Sequence, residues 1–561
     1  MPRQDVTPLF PLRELRRARV ARTLPVMFLL VLLSPGPRFL SVRAQEAPQP
    51  KKIDLSTAGT VSLTIAGAIS SDQLARVSIA DVNGDGLPDV VAAAPLANDA
   101  VNVRFDVGAV YVVFGGIDLA TSRTVDLAAR ADVVIVGAES DDRFGVSLAT
   151  GDVTGDGIAD IIIGAPRAAG LPDARTHAGR IYVIYGGPHL VPGTRRDMAG
   201  IVAPGADLII FGAETEDHLG SSLALTDLTG DGIQDIVAAS ANASPQGTRF
   251  LAGTIYALFG GRTMTSGQFR DLAASPPQGA DLVILGPSVL GFFGFQVAVG
   301  DVNGDRLPDI VVSAPLGDGP NTERTNAGEV YIVLGSPDLR RGGVRDLASA
   351  TPQGADVILY GGVKEDLFGF TLLVADVTGD GADDVIVGAV QADGPEAKRA
   401  SAGEVYIFFG GAEMKTGAVR DVLGQAGPAA DVRIFGAEAG DEMGTALAVG
   451  DVNGNQLPDL LIGAPTADGD KNERAESGEV YIFLDGRLRT SGTTLDVGGE
   501  AMVQPDAFIL GAAASDQLGA FVAFGDVDAD GRVDLLLSAP NASAATKFNN
   551  GAVFVLFGFR L

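Results

Sequence analysis

The chain is 561 residues long and contains no cysteine, which excludes disulfides, thiolate zinc sites, iron–sulfur clusters and cysteine nucleophiles. Its formal net charge of −29 argues against nucleic acid as a partner, because gripping a phosphate backbone needs clustered Lys and Arg. With 74 glycines and 46% hydrophobic residues, the composition suits many short strands joined by tight turns around a large core.

In chain order, a basic stretch (Arg13, Arg16, Arg17, Arg19, Arg22) comes first, followed by an apolar run from Leu24 to Leu33. A helix-breaking Ser34-Pro35-Gly36 and then Val42-Arg43-Ala44 come next. That order is the secretory pattern, so residues 1–44 are expected to be a signal peptide and residues 45–561 the exported chain, extracellular, periplasmic or on the cell surface. The apolar run is shorter than the ~20 residues of a spanning helix. An uncleaved membrane anchor or a misassigned start codon is the alternative. No second long apolar segment follows, so no membrane span is expected in the mature chain. The lack of cysteine in an exported chain of this size points to a bacterial rather than an animal source.

One unit then repeats seven times. DVNGDGLPD at 81–89 returns as DVTGDGIAD, DLTGDGIQD, DVNGDRLPD, DVTGDGADD, DVNGNQLPD and DVDADGRVD, with starts 71, 75, 74, 75, 75 and 75 residues apart. Each unit carries four short apolar runs bounded by Gly, Asp or Pro, which is strand grammar. In the second unit these begin at Phe144-Gly145, Asp160, Gly179 and Ala206. Four antiparallel strands per unit, repeated without helices, predict an all-β, seven-bladed propeller. The last unit stops after its third run, and an unassigned fourth-type run, Thr60–Gly67, stands at the front. The N-terminal strand is therefore expected to complete the last blade, closing the seam that an open ring would expose.

The nine-residue acidic loop falls between the first and second runs. Oxygen side chains at positions 1, 3, 5 and 9 with the carbonyl at 7 approach the shell that calcium requires, and Gly at 4 and 6 allows positive φ. The first loop offers Asp81, Asn83, Asp85 and Asp89 with the carbonyl of Leu87. The second offers Asp152, Thr154, Asp156 and Asp160 with Ile158, and the third Asp227, Thr229, Asp231 and Asp235 with Ile233. The fourth has Asp301, Asn303, Asp305 and Asp309 with Leu307, and the fifth Asp376, Thr378, Asp380 and Asp384 with Ala382. The sixth has Asp451, Asn453, Asn455 and Asp459 with Leu457, and the seventh Asp526, Asp528, Asp530 and Asp534 with Arg532. The seventh is expected to bind calcium well. The sixth, with Asn455 and Gln456 replacing Asp and Gly, is expected to bind weakest, and Arg306 to strain the fourth. The alternative is that Asp-Gly and Asn-Gly simply form good turns.

On the opposite face, a basic residue precedes each third strand: Arg104, Arg175, Arg249, Arg324, Arg399, Arg474 and Lys547. An acid precedes most first strands: Asp72, Asp142, Asp217, Asp366, Asp441 and Asp516, with Gly291 breaking the pattern in the fourth unit. Each base is expected to pair with the neighbouring acid. That would leave Arg324 unpaired beside the apolar Val289–Phe293 as an interaction spot. The three histidines, His177, His189 and His218, show no metal-ligand spacing and are expected on the surface.

Phe144-Gly145 followed by Gly164-Ala165-Pro166 resembles the FG-GAP repeat of the integrin α-subunit head. Phe293-Gly294 with Ser313-Ala314-Pro315, Phe368-Gly369 with Gly388-Ala389-Val390, and Met443-Gly444 with Gly463-Ala464-Pro465 extend the resemblance. Leu219-Gly220 and Leu518-Gly519 are softer, and Leu74-Ala75 departs most. The resemblance implies a seven-bladed propeller with calcium in the first loops. It points to an adhesion or recognition module, not an enzyme, with an extracellular protein or glycan as ligand. A secreted carbohydrate-active enzyme or lectin, or a structural envelope component, is the alternative. No G-x-S-x-G elbow or P-loop is present.

Overall fold

A computed structural model describes residues 50–99, 103–170, 175–199, 205–261, 264, 268–274, 279–349, 354–484, 488–499 and 504–559. The expected signal peptide, 1–44, lies outside the described residues. In blade one the strands Arg76–Ala80, Asp89–Ala94, Ala109–Val113 and Val133–Val136 pair antiparallel in that order from the centre outward. The other six blades repeat this order, giving seven sheets. Innermost strands pack each on the next, and Phe521–Gly525 packs back on Arg76–Ala80. Second and third strands are almost wholly buried, which is why they read as continuous Val/Ile/Leu runs rather than alternating ones.

Closure follows expectation: Leu63–Ala66 pairs antiparallel with Ala552–Leu556 and supplies the last blade's fourth strand. Each blade has the four expected antiparallel strands, and every sheet adds a fifth. The fifth comes from the connection between the third and fourth strands of the following blade, and it runs parallel to the fourth. Thr194–Asp197 of blade two lies on Val133–Val136 of blade one, and Lys51–Asp54 lies on Ala507–Leu510 of blade six. These short, half-exposed strands carry no apolar period, so nothing in their hydrophobicity announced them. They cover the edge that each blade would otherwise expose.

The repeat residues are explained by the seams between blades. Phe144 is fully buried, with its ring edge-on to Tyr182 at 5.3 Å. Leu74, Leu219, Met443 and Leu518 fill the same site without exposure, so the softer matches keep the packing. Gly145 sits at φ +95°, where a Cβ would lie 3.0 Å from that of Ala93. A Cβ on Gly164 would meet the carbonyl oxygen of Gly220 in the next blade at 2.1 Å, so only glycine allows that approach.

Candidate metal loops and the opposite face

Because strands alternate in direction, the acidic loops emerge on one face. The connections between second and third strands, and those between blades, emerge on the other. Each acidic loop is held by its own carboxylates. Asp81 accepts the N–H groups of Gly84, Asp85 and Gly86 at 2.7, 3.2 and 2.8 Å. Asp89, fully buried, accepts from Val82 at 3.0 Å and from Gly115 at 3.0 Å. Burial pushes the Asp89 carboxyl up to about 6, against the pull of those bonds and with the help of Asp85 and Asp81. The same bonding recurs in the other loops, for example Asp152 with Gly155 and Asp526 with Gly531.

Position 4 and 6 residues adopt positive φ, including Arg306 at 69°, Gln456 at 67° and Ala529 at 61°, where a side chain is strained. Loops are also stitched between blades: Asp81 O accepts from Ala159, Asp152 O from Gln234 and Asp301 O from Asp383. The Pro at the eighth position of the first, fourth and sixth loops cannot donate this bond.

Among the described residues, the seventh loop brings Asp526, Asp528 and Asp534 together with carboxylate oxygens within 4.8 Å. Burial and the charges of Asp530 and Asp526 push the Asp528 carboxyl up, the repulsion that a cation would relieve. This all-oxygen donor set fits a hard divalent cation. In the first loop Asp85 is turned to Asn83 Nδ2 and the Leu87 N–H.

On the opposite face the expected acid–base pairing is corrected. Each base pairs instead with the Asp that ends the fifth strand contributed by the next blade. Arg104–Asp197 and Arg175–Asp271 are 2.8 Å apart, Arg249–Asp346 and Arg399–Asp496 2.6 Å, Arg324–Asp421 2.7 Å and Arg474–Asp54 2.8 Å, while Lys547–Asp126 completes the ring. Each base also donates to the carbonyl of the glycine that follows its own blade's fourth strand, such as Gly137 for Arg104 and Gly361 for Arg324. Arg324 is therefore not unpaired. The apolar Val289 and Leu290 lie instead beside the Arg249 loop, where the Leu290 N–H donates to Phe250 O.

The acids that were expected as partners serve their own turns: Asp72 accepts from Ile69, Asp366 from Val363 and Asp441 from Glu438. Burial lifts all three carboxyls to about 7. They therefore hold protons that the unfolded chain has released. Their stabilising contribution is complete below the unfolded value and is lost as pH rises through about 7. Asp54 is held down at about 2, chiefly by its bond from Arg474, and acts only at lower pH. Chelator-treated protein is expected to melt higher at about pH 5.5 than at about pH 7.5 by calorimetry, and the reverse order would contradict this.

His177 and His218, expected as separate surface residues, are brought together with Glu216. His177 Nδ1 lies 3.2 Å from the Glu216 carboxylate and His218 Nε2 3.6 Å. Burial pushes the His218 imidazole down to about 4. No spacing rule reveals this trio, because it joins two different loops.

Comparison with known proteins matches the FG-GAP repeat family at residues 75–113, 144–184, 219–258, 293–333, 368–408, 443–483 and 518–556. Human phosphatidylinositol-glycan-specific phospholipase D is 26% identical over 404 residues, covering 71% of this chain and 43% of that protein. Integrin alpha-PS2 of Drosophila melanogaster is 32% identical over 247 residues, covering 40% of this chain and 16% of that protein. Integrin alpha pat-2 of Caenorhabditis elegans is 29% identical over 261 residues, covering 44% and 18%. The chain thus spans less than half the length of these relatives. Among the described residues no helix is long and apolar enough to cross a membrane.

Proposed function

The chain belongs to the FG-GAP repeat family, and from that premise we propose that it is an exported, calcium-binding recognition module whose ligand is an extracellular protein or glycan. The observation that carries this reading is the set of seven acidic loops, one per blade, held by equivalent backbone bonds on one face. Asp526, Asp528, Asp530 and Asp534 would hold calcium best. The loop at 451–459, with two carboxylates, would hold it weakest. Calcium would supply charge neutralisation and fix the loop geometry, and concentrations outside cells would fill sites with affinities of ~10⁻⁴–10⁻³ M.

Recognition is assigned to the opposite face. Three phenylalanines, Phe105, Phe250 and Phe548, occupy the position after the clamping base and are 65%, 60% and 69% exposed. Exposed aromatics on variable loops are what a binding face supplies. We read the chain as a binder rather than an enzyme. The phospholipase name belongs to a protein of which this chain covers 43%. Purified protein screened against glycans and matrix proteins should bind a defined ligand with calcium and lose it with chelator. Folded protein that binds nothing would remove the recognition reading.

A further inference from the structure

We propose that His177, Glu216 and His218 form a site for one divalent transition-metal ion of the zinc class, on the face opposite the acidic loops. The propeller builds the same three-point scaffold at each seam between blades. One point lies in the loop before a third strand, and two lie in the loop leading to the next blade. Glu216 donates its N–H to Thr176 O at 2.9 Å and His218 its N–H to His177 O at 3.1 Å. At the next two seams Leu290 and Phe292 make the same bonds to Phe250 and Leu251, and Glu365 and Leu367 make them to Thr325 and Asn326.

These positions share left-handed backbone: φ is 48° at His177, 67° at Glu216 and 58° at His218. The fold therefore presets three side-chain origins at every seam, and the sequence decides what they carry. One seam carries Leu251, Leu290 and Phe292. Another carries Asn326, Glu365 and Leu367. Only the second-to-third blade seam carries two imidazoles and a carboxylate, using two of the chain's three histidines.

The geometry suits a metal. A tetrahedral zinc site with bonds of ~2.0–2.1 Å has ligand–ligand edges of about 3.3 Å. The His177–Glu216 and His218–Glu216 separations are 3.2 and 3.6 Å, and all three ligand atoms lie within 4.8 Å of one another. Among the described residues, the buried His218 Nε2 atom has no partner within hydrogen-bond distance, its nearest being the Glu216 carboxylate at 3.6 Å, and a metal between the two would satisfy both. Glu216 is 57% exposed, which leaves room for water or a ligand atom in a fourth position. The nearby Arg167 is held by Asp141 at 2.9 Å rather than by Glu216. Two nitrogens with one oxygen favour zinc or its neighbours over calcium, which takes oxygen ligands, so this site is chemically distinct from the acidic loops.

The test is equilibrium dialysis of the purified, chelator-stripped protein against Zn²⁺ with calcium present, together with Co²⁺ absorption spectra. One zinc per chain is expected, with visible cobalt bands of low coordination number. His177→Ala and Glu216→Gln should each weaken zinc binding at least tenfold, since even outer-shell losses cost about 10–100-fold. His189→Ala should leave it unchanged. His177 is 32% exposed, so its variant is expected to fold, checked by an unchanged melting temperature without metal. Zinc uptake that is absent in the native protein, or equal in His177→Ala and Glu216→Gln, would overturn the proposal.

Discussion

Chelating calcium is expected to lower the melting temperature of the protein by about 5–10 °C, and restoring millimolar calcium to recover it. Each site that binds only the folded state adds RT ln(1 + [L]/Kd), roughly 1 kcal/mol at millimolar calcium for affinities of ~10⁻⁴–10⁻³ M. Seven such sites act on one ring. An unfolding entropy of ~2.1 cal/mol/K per residue converts each kcal/mol to about 1 °C for a domain of this length. The effect should be cooperative across blades, because Asp81, Asp152 and Asp301 accept bonds from the next blade's loop through their carbonyls. Magnesium at the same concentration should restore less, since it holds its waters and demands a stricter octahedron. A melting temperature indifferent to chelator would remove calcium as a structural partner.

The second large effect is expected at the clamp between blades four and five. Arg324→Ala should cost ~3–5 kcal/mol in denaturant unfolding, because it strands a buried carboxylate. Asp421 is 0% exposed and receives both Arg324 terminal nitrogens, at 2.7 and 2.8 Å. Burial alone would raise its pKa, but the bonds from Arg324 and from the N–H groups of Ala426 and Leu423 outweigh it and hold the carboxyl below its ordinary value. Arg249→Ala should cost less, because Asp346 is 30% exposed and water can replace the guanidinium. Equal losses at the two positions would contradict this account of the ring.

Much of this architecture is legible in the residues because repetition amplifies weak signals. The phased loops, the buried Phe144 and Gly164 at a seam, and the unassigned Thr60–Gly67 run together specify seven blades and their closure. The fifth strands escaped because Thr194–Asp197 and Lys51–Asp54 are short and half-exposed. Their terminal Asp does recur in every repeat, as Asp54, Asp126, Asp197, Asp271, Asp346, Asp421 and Asp496. It keeps the same phase as Asp72 and its equivalents. Phase alone therefore cannot say which acid meets Arg324, and the choice depends on the parallel strand that carries Asp421 alongside. The His177–Glu216–His218 cluster was hidden for a related reason. His177 is 39 residues from Glu216, in a different loop, and only the seam brings them together.

The measurement that bears most directly on the central claim is calorimetric titration of calcium into the chelator-stripped protein. The account predicts several sites per chain, with Asp528→Ala removing one of the tightest and Asn455→Asp strengthening the weakest. No calcium uptake at millimolar concentration, or uptake unchanged by Asp528→Ala, would contradict it.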